Sequence, residues 1–220
     1  MSIKVVLLDL FGVLFKDRWK EWLKKNEKSL RQFAESSPPL IELGCTASYP
    51  EYYYDLIRIN TDEKSVAGKP LIDDETFYHI LAKASNKPAK SIKEVLHDTS
   101  VLNKDLLPLI DILRRKSYKI GVVTNGDQGI TQEFIGAHNL SSLFDIIVTS
   151  ADVGKKKPHP AIFNKVASAL NVELSEMLLI DDSEKTGRSV KNLGIKAIYY
   201  HEQNIIKLQQ EIEKLVGKLV

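Results

Sequence analysis

The sequence predicts an α/β fold: a doubly wound parallel sheet with a Rossmann-like core and a helical segment inserted after the first strand. Three observations lead there. Five short runs rich in Val, Ile and Leu, at 3–9, 119–124, 145–149, 177–181 and 196–199, are nearly apolar throughout, the pattern of strands buried on both faces. Helix-length segments with 3.6-residue apolar spacing separate the last four, and strand–helix alternation builds βαβ units. Between the first and second runs the alternation fails for about 70 residues, a length that can hold a small core of its own.

Taken in order, the first run ends at Asp9 and is followed by Leu10-Phe11-Gly12-Val13. The insertion, 16–86, carries Trp19, Trp22, Leu23 and Phe33, then the turn signal Ser36-Ser37-Pro38-Pro39. An aromatic cluster at Tyr49, Tyr52, Tyr53 and Tyr54 and a helical pattern at Phe77, Ile80 and Leu81 complete it. These aromatics read first as the core of a helical subdomain. The expected division is therefore an α/β core of 1–15 and 87–220 with a helical cap of 16–86.

Leu106, Leu109, Ile110 and Leu113 form a stripe before the second run; Ile162, Val166, Ala169 and Leu170 form one before the fourth. A helix is expected over 183–193, with Ser183 as its capping residue. Asp181 and Asp182 are also placed to favour its N-terminus. At the end of the chain Ile205, Leu208, Ile212, Leu215 and Val216 share a face, which fits packing on the sheet better than a dimer surface.

Composition narrows the class. Hydrophobic residues make up 43% and charged residues 27%, the balance of a globular chain. A net charge of +2 argues against nucleic-acid and membrane surfaces. The run Lys155-Lys156-Lys157 is bounded by Gly154 and Pro158, so it makes no basic stripe. Cys45 is the single cysteine, which excludes an internal disulfide and fits a reducing cytoplasm. Asp9 and Gly12 interrupt the apolar N-terminal stretch, which resembles neither a signal peptide nor a membrane span. The expectation is a cytoplasmic monomer or homodimer.

In an open parallel sheet, ligands bind beyond the carboxyl ends of the strands. Asp9, Thr124 with Asn125 and Gly126, and Asp181 with Asp182 stand at three such ends, and Lys157 lies in the loop after the third run. Carboxylates gathered there repel unless a cation lies among them, and an all-oxygen donor set completed by water and phosphate suits Mg²⁺. Asp9 can then act as a nucleophile toward phosphorus. Lys157 can neutralise charge, and Thr124 with the amides beyond it can donate to phosphoryl oxygens. Pro158 restricts Lys157 before it, which helps fix where that lysine points. Taken singly, Asp9 could be a turn former, Thr124 a β-branched strand residue and Lys157 a solvated charge.

Asp9-Leu10-Phe11-Gly12-Val13-Leu14, Val122-Val123-Thr124-Asn125-Gly126, Gly154 with Lys157-Pro158-His159-Pro160, and Leu179-Ile180-Asp181-Asp182-Ser183 resemble the four ordered motifs of the haloacid dehalogenase superfamily. The branch most similar includes C1-capped phosphatases and the N-terminal domains of epoxide hydrolases. The resemblance implies a Mg²⁺-dependent hydrolase of a small phosphorylated substrate, working through an aspartyl-phosphate. Asp9, Thr124 and Lys157 would be catalytic; Leu10, Phe11, Thr124, Asn125 and Lys157 would bind the phosphoryl group. Asp9, the Phe11 carbonyl, Asp181 and Asp182 would hold the metal, and the cap would exclude water and select the substrate.

One position departs from that pattern. Phosphatases of the superfamily usually carry a second aspartate two residues after the nucleophile, as general acid and base, and this chain has Phe11. Such help is worth roughly 10²- to 10⁴-fold, and its loss weighs most on poor leaving groups. Asp17, Glu21, His79 and His97 are available as substitutes, with no spacing that selects one. Three readings stay open: a phosphatase shifted to activated substrates or a substitute acid, a dehalogenase-like C–X hydrolase, and a silent relative that only binds. The adjacent pair Asp181-Asp182 argues against metal-independent dehalogenation, and dependence on Mg²⁺ separates the first two.

Overall fold

The computed structural model describes residues 2–17, 24–29, 32, 82–83, 100–126, 128–200 and 204–219. Two compact units divide the chain, one of Met1–Lys16 with Leu102–Val220 and the other of Asp17–Val101. The aromatic residues expected to fill the insertion lie outside the described residues, as do the turn at 36–39 and Cys45.

The first unit contains a five-stranded, wholly parallel sheet. Its strands are β1 (Val5–Leu8), β4 (Lys119–Thr124), β5 (Ile146–Thr149), β6 (Met177–Asp181) and β7 (Lys196–Tyr199), in the spatial order β5-β4-β1-β6-β7. The chain therefore winds outward from β1 in one direction, then returns to build the other side. That reversal is the switch point of a doubly wound sheet, and it brings the ends of β4, β1 and β6 side by side.

Apolar runs become strands here because both faces are covered. Val6 and Leu8 join one buried cluster with Ile120, Val122, Leu178 and Ile180. Val5 and Leu7 point the other way and join Val123, Val148, Met177 and Leu179, as the period of two requires. Helices α1 (Leu106–Arg115), α2 (Gln128–Ala137) and α5 (Ile205–Val216) pack on the first face. The second face is covered by α3 (Pro160–Leu170) and α4 (Glu184–Lys191).

Burial on both faces holds for the three central strands and weakens at the edges. All of β1 and β6 is buried, whereas β7 buries Ile198 fully and leaves Lys196 and Tyr199 exposed, since it has a neighbour on one side only. In α3 the buried stripe is Ile162, Phe163 and Val166. Ala169, expected within it, is exposed, whereas Ala167 and Leu170 pack half-buried against the cluster. Along α5, Leu208 and Ile212 are buried and Leu215 is exposed.

A short pairing of β2 (Phe15–Asp17) with β3 (Ser100–Leu102) was not expected from sequence. Three residues carry too little pattern to be read as a strand. Asn103 continues the link by donating its amide to the Leu14 carbonyl at 2.9 Å.

Candidate active site

The chain leaves β1 without breaking the ladder at once. The Asp9 amide donates to the Ile180 carbonyl at 2.9 Å, so its side chain emerges at the strand's carboxyl end. A tight loop follows, in which Leu14 N donates to Asp9 O, Phe15 N to Leu10 O and Gly12 N to Phe15 O. Gly12 adopts a φ of +88°, and a Cβ there would stand 2.2 Å from Asp182 Oδ2. Glycine is thus required twice, by conformation and by the approach of Asp182.

Lys157 is the pivot of the rim. Its side chain is 2% exposed, and its Nζ lies 2.8 Å from Asp9 Oδ1 and 2.7 Å from Asp181 Oδ2. An ammonium buried so deeply requires such pairing. The backbone is held as firmly: Lys157 N donates to Asn125 Oδ1 at 2.7 Å. Ser150 Oγ in turn donates to the Asn125 carbonyl at 3.1 Å. Asn125 therefore ties the loop after β5 to the end of β4. The Lys157–Pro158 peptide is cis.

Asp181 ends β6 and is 1% exposed. Its second oxygen accepts from Ser183 N at 2.8 Å. Ser183 caps α4 as expected, its Oγ accepting from Thr186 N at 3.2 Å. Thr124 is buried at the end of β4 and its Oγ1 accepts from Gly126 N at 3.0 Å. Leu10, expected near a bound phosphate, has a fully buried side chain, and its amide donates to Asp9 Oδ1 at 2.7 Å.

Oxygens of Asp9, Asp181 and Asp182 lie within 4.8 Å of one another. Two carboxylates at that separation repel by about 3 kcal/mol at an effective dielectric constant near 20. Lys157 is shared between Asp9 and Asp181, with Asp182 as the third carboxylate of the group. Burial pushes the Asp9 carboxyl up to about 7, against the attraction of Lys157 and with the repulsion of Asp181 and Asp182. Burial alone would lower the Lys157 ammonium, but Asp9 and Asp181 outweigh it and raise it. Such an oxygen-only cluster fits a hard divalent cation of the Mg²⁺ type.

Phe11 stands beside these groups as part of an aromatic cluster. Its ring meets Phe134 edge-on, with centroids 5.2 Å apart and planes at 87°, and Phe15 at 6.4 Å. Phe11 Cε2 lies 3.6 Å from where a Gly126 Cβ would stand, and Thr124 Oγ1 lies 3.3 Å from the same point. The ring thus borders the Thr124–Gly126 turn. Glu21, His79 and His97, and the side chain of Asp17, lie outside the described residues.

The structure brings Asp9, Lys157, Asp181 and Asp182 together, and the close approach of Asp182 to Gly12 was not expected from sequence. The flanking motif was the available signal for it. Ser150 was also missed, and a serine between strand and loop carries no signal of its own.

Three carboxylates, a buried lysine and a strand-end threonine thus meet at the switch point of an open α/β sheet, where such folds bind their ligands. The haloacid dehalogenase-like hydrolase profile matches residues 42–200, more than half of the chain, and the protein belongs to that family of hydrolytic enzymes. The match begins downstream of Asp9. Bifunctional epoxide hydrolase 2 of Mus musculus is 25% identical over 99% of this chain and 39% of its own length. Glyceraldehyde 3-phosphate phosphatase of Pyrococcus abyssi is 34% identical over 40% of this chain and 37% of its own length. The chain thus spans less than half the length of these two curated relatives. A family enzyme of Bacteroides thetaiotaomicron, solved with magnesium and inorganic phosphate, shares the fold with a TM-score of 0.65. It is 19% identical, and the overlay covers 94% of this chain and 99% of that one.

Proposed function

We propose that the protein is a Mg²⁺-dependent phosphatase that removes a phosphoryl group from a small molecule through an aspartyl-phosphate at Asp9. The observation that carries this reading is the Lys157 Nζ shared between Asp9 and Asp181 beside a third carboxylate, within 4.8 Å. Asp9 attacks phosphorus through one carboxylate oxygen, while Lys157 and the Leu10 amide hold the other, Oδ1, and Lys157 offsets phosphoryl charge. The Thr124 hydroxyl accepts from Gly126 N, so its own proton remains for a phosphoryl oxygen. Asn125 acts chiefly by fixing Lys157.

Asp9, Asp181, Asp182 and the Phe11 carbonyl would hold the ion, which supplies neutralisation of the phosphoryl charge when bound. The magnesium and phosphate of the Bacteroides enzyme support that part of the reading, and the phosphatase name of the Pyrococcus relative supports the reaction. The inserted unit, expected to be helical, would select the substrate.

A panel of phosphate esters, acyl phosphates and haloacids, each with and without Mg²⁺, tests the proposal. Phosphate release that needs Mg²⁺ is the expected result. Halide release that is indifferent to the metal would overturn it, and so would inertness toward every phosphate.

A further inference from the structure

Position 11 affects both halves of the proposed reaction, and it affects them unequally. The ring is anchored against Phe134 and Phe15, which are themselves buried, and it borders the Thr124–Gly126 turn. The side chain at 11 is therefore an apolar wall on the phosphoryl side of the rim. It carries no proton to give and no lone pair to take one.

Consider the bonds. In the first step an Asp9 oxygen attacks phosphorus, and the bond from phosphorus to the leaving oxygen breaks with its electron pair on that oxygen. An alkoxide needs a proton at that moment. A carboxylate or a phenolate, whose conjugate acids have pKa values of about 4 and about 10, needs far less help. In the second step a water oxygen attacks phosphorus, the bond to Asp9 breaks, and the electron pair returns to the carboxylate. Asp9 leaves unaided, but the water must lose a proton to solvent or to the departing phosphate. A reactive substrate compensates for Phe11 in the first step only.

Resting on the proposed Asp9 chemistry, we infer that Phe11 confines the enzyme to acyl, aryl and similarly activated phosphates, and makes discharge of phospho-Asp9 the slow step. The substrate class and the resting state during turnover then share one cause. A long-lived acyl phosphate at Asp9 is also open to acceptors other than water, so transfer to an added alcohol competes with hydrolysis.

The test uses the wild-type protein with Mg²⁺, acetyl phosphate, a series of substituted phenyl phosphates and glycerol phosphate. Turnover is followed together with the fraction of enzyme carrying a phosphoryl group after acid quench. The expected kcat/KM rises roughly five- to tenfold for each unit by which the leaving group's pKa falls. Over the same series kcat stays level, and most of the enzyme is phosphorylated at saturation. Equal kcat/KM for phenyl and glycerol phosphates would overturn the inference, because another residue would then supply the proton. A kcat that follows the leaving group, with little phosphoenzyme, would overturn the slow discharge while leaving Asp9 as nucleophile. If turnover proceeds in Asp9→Asn as in wild type, the underlying reading fails instead.

Discussion

At the amino end of the sheet, Asp145 accepts from the Ile120 amide at 2.9 Å and from Lys119 at 3.0 Å, with Arg114 nearby. At the carboxyl end, Asp9 shares a single buried lysine with Asp181 while Asp182 stands close by. The same strands thus carry two kinds of carboxylate. Partial burial pushes Asp145 up, but the Ile120 amide, Lys119 and Arg114 prevail and hold it below the usual range. Burial and two neighbouring carboxylates lift Asp9 to about 7 despite Lys157. Lys4 and Glu176, 2.7 Å apart, form a second ion pair at the amino end. Carboxylates at the amino end meet partly exposed cations, whereas at the carboxyl end one buried lysine serves both Asp9 and Asp181.

Mutation sharpens that contrast first at Asp9. Asp9→Asn should lower phosphate release by roughly 10⁴- to 10⁶-fold, the scale of losing a nucleophile, with far-UV circular dichroism unchanged. The next largest effect belongs to Phe11→Asp, which restores a proton carrier at the rim. It should raise kcat/KM toward glycerol phosphate by about 10²- to 10⁴-fold. A variant that stays inert on the ester while wild type hydrolyses acetyl phosphate would place the missing proton transfer elsewhere.

Lys157→Met leaves Asp9 and Asp181 buried without their cation. A loss of about 3–5 kcal/mol in Mg²⁺-free urea denaturation is expected, partly recovered on adding the metal. The pH response should then separate the two ends. A carboxyl raised to about 7 when folded binds its proton more tightly folded than unfolded. Stability of the Mg²⁺-free protein therefore declines as pH rises from about 4 through 7. Asp9→Asn should remove this decline and raise Tm at pH 8 by a few degrees. Asp145 has the opposite sign: its contribution is present above the unfolded value near 4 and lost as pH falls further. Asp145→Asn should cost about 1 kcal/mol at neutral pH and leave kcat/KM unchanged.

Legibility in the sequence followed burial. The runs at Lys119–Thr124, Met177–Asp181 and Lys196–Tyr199 have the observed bounds, and those opening at 3 and 145 begin two residues and one residue early. Central strands announce themselves because both faces are buried, which confines polar residues such as Thr124 and Asp181 to the strand ends. The pairing of Phe15–Asp17 with Ser100–Leu102 left no such mark, being short and closed by chain distant in sequence. The acidic rim was legible because its members sit at strand ends, where the topology brings them together. What Gly12 does for Asp182, and Asn125 for Lys157, depends on approach in three dimensions. Phe11 was legible as a departure, but its anchoring on Phe134 was not, since the two are far apart in sequence.

The most direct measurement is to quench the enzyme in acid during turnover of acetyl phosphate and map the phosphoryl group by mass spectrometry. A phosphoryl group on the peptide containing Asp9, formed only with Mg²⁺ and missing in Asp9→Asn, is the expected result. Steady release of phosphate with no phosphoryl group at Asp9, or with one on another residue, would contradict it.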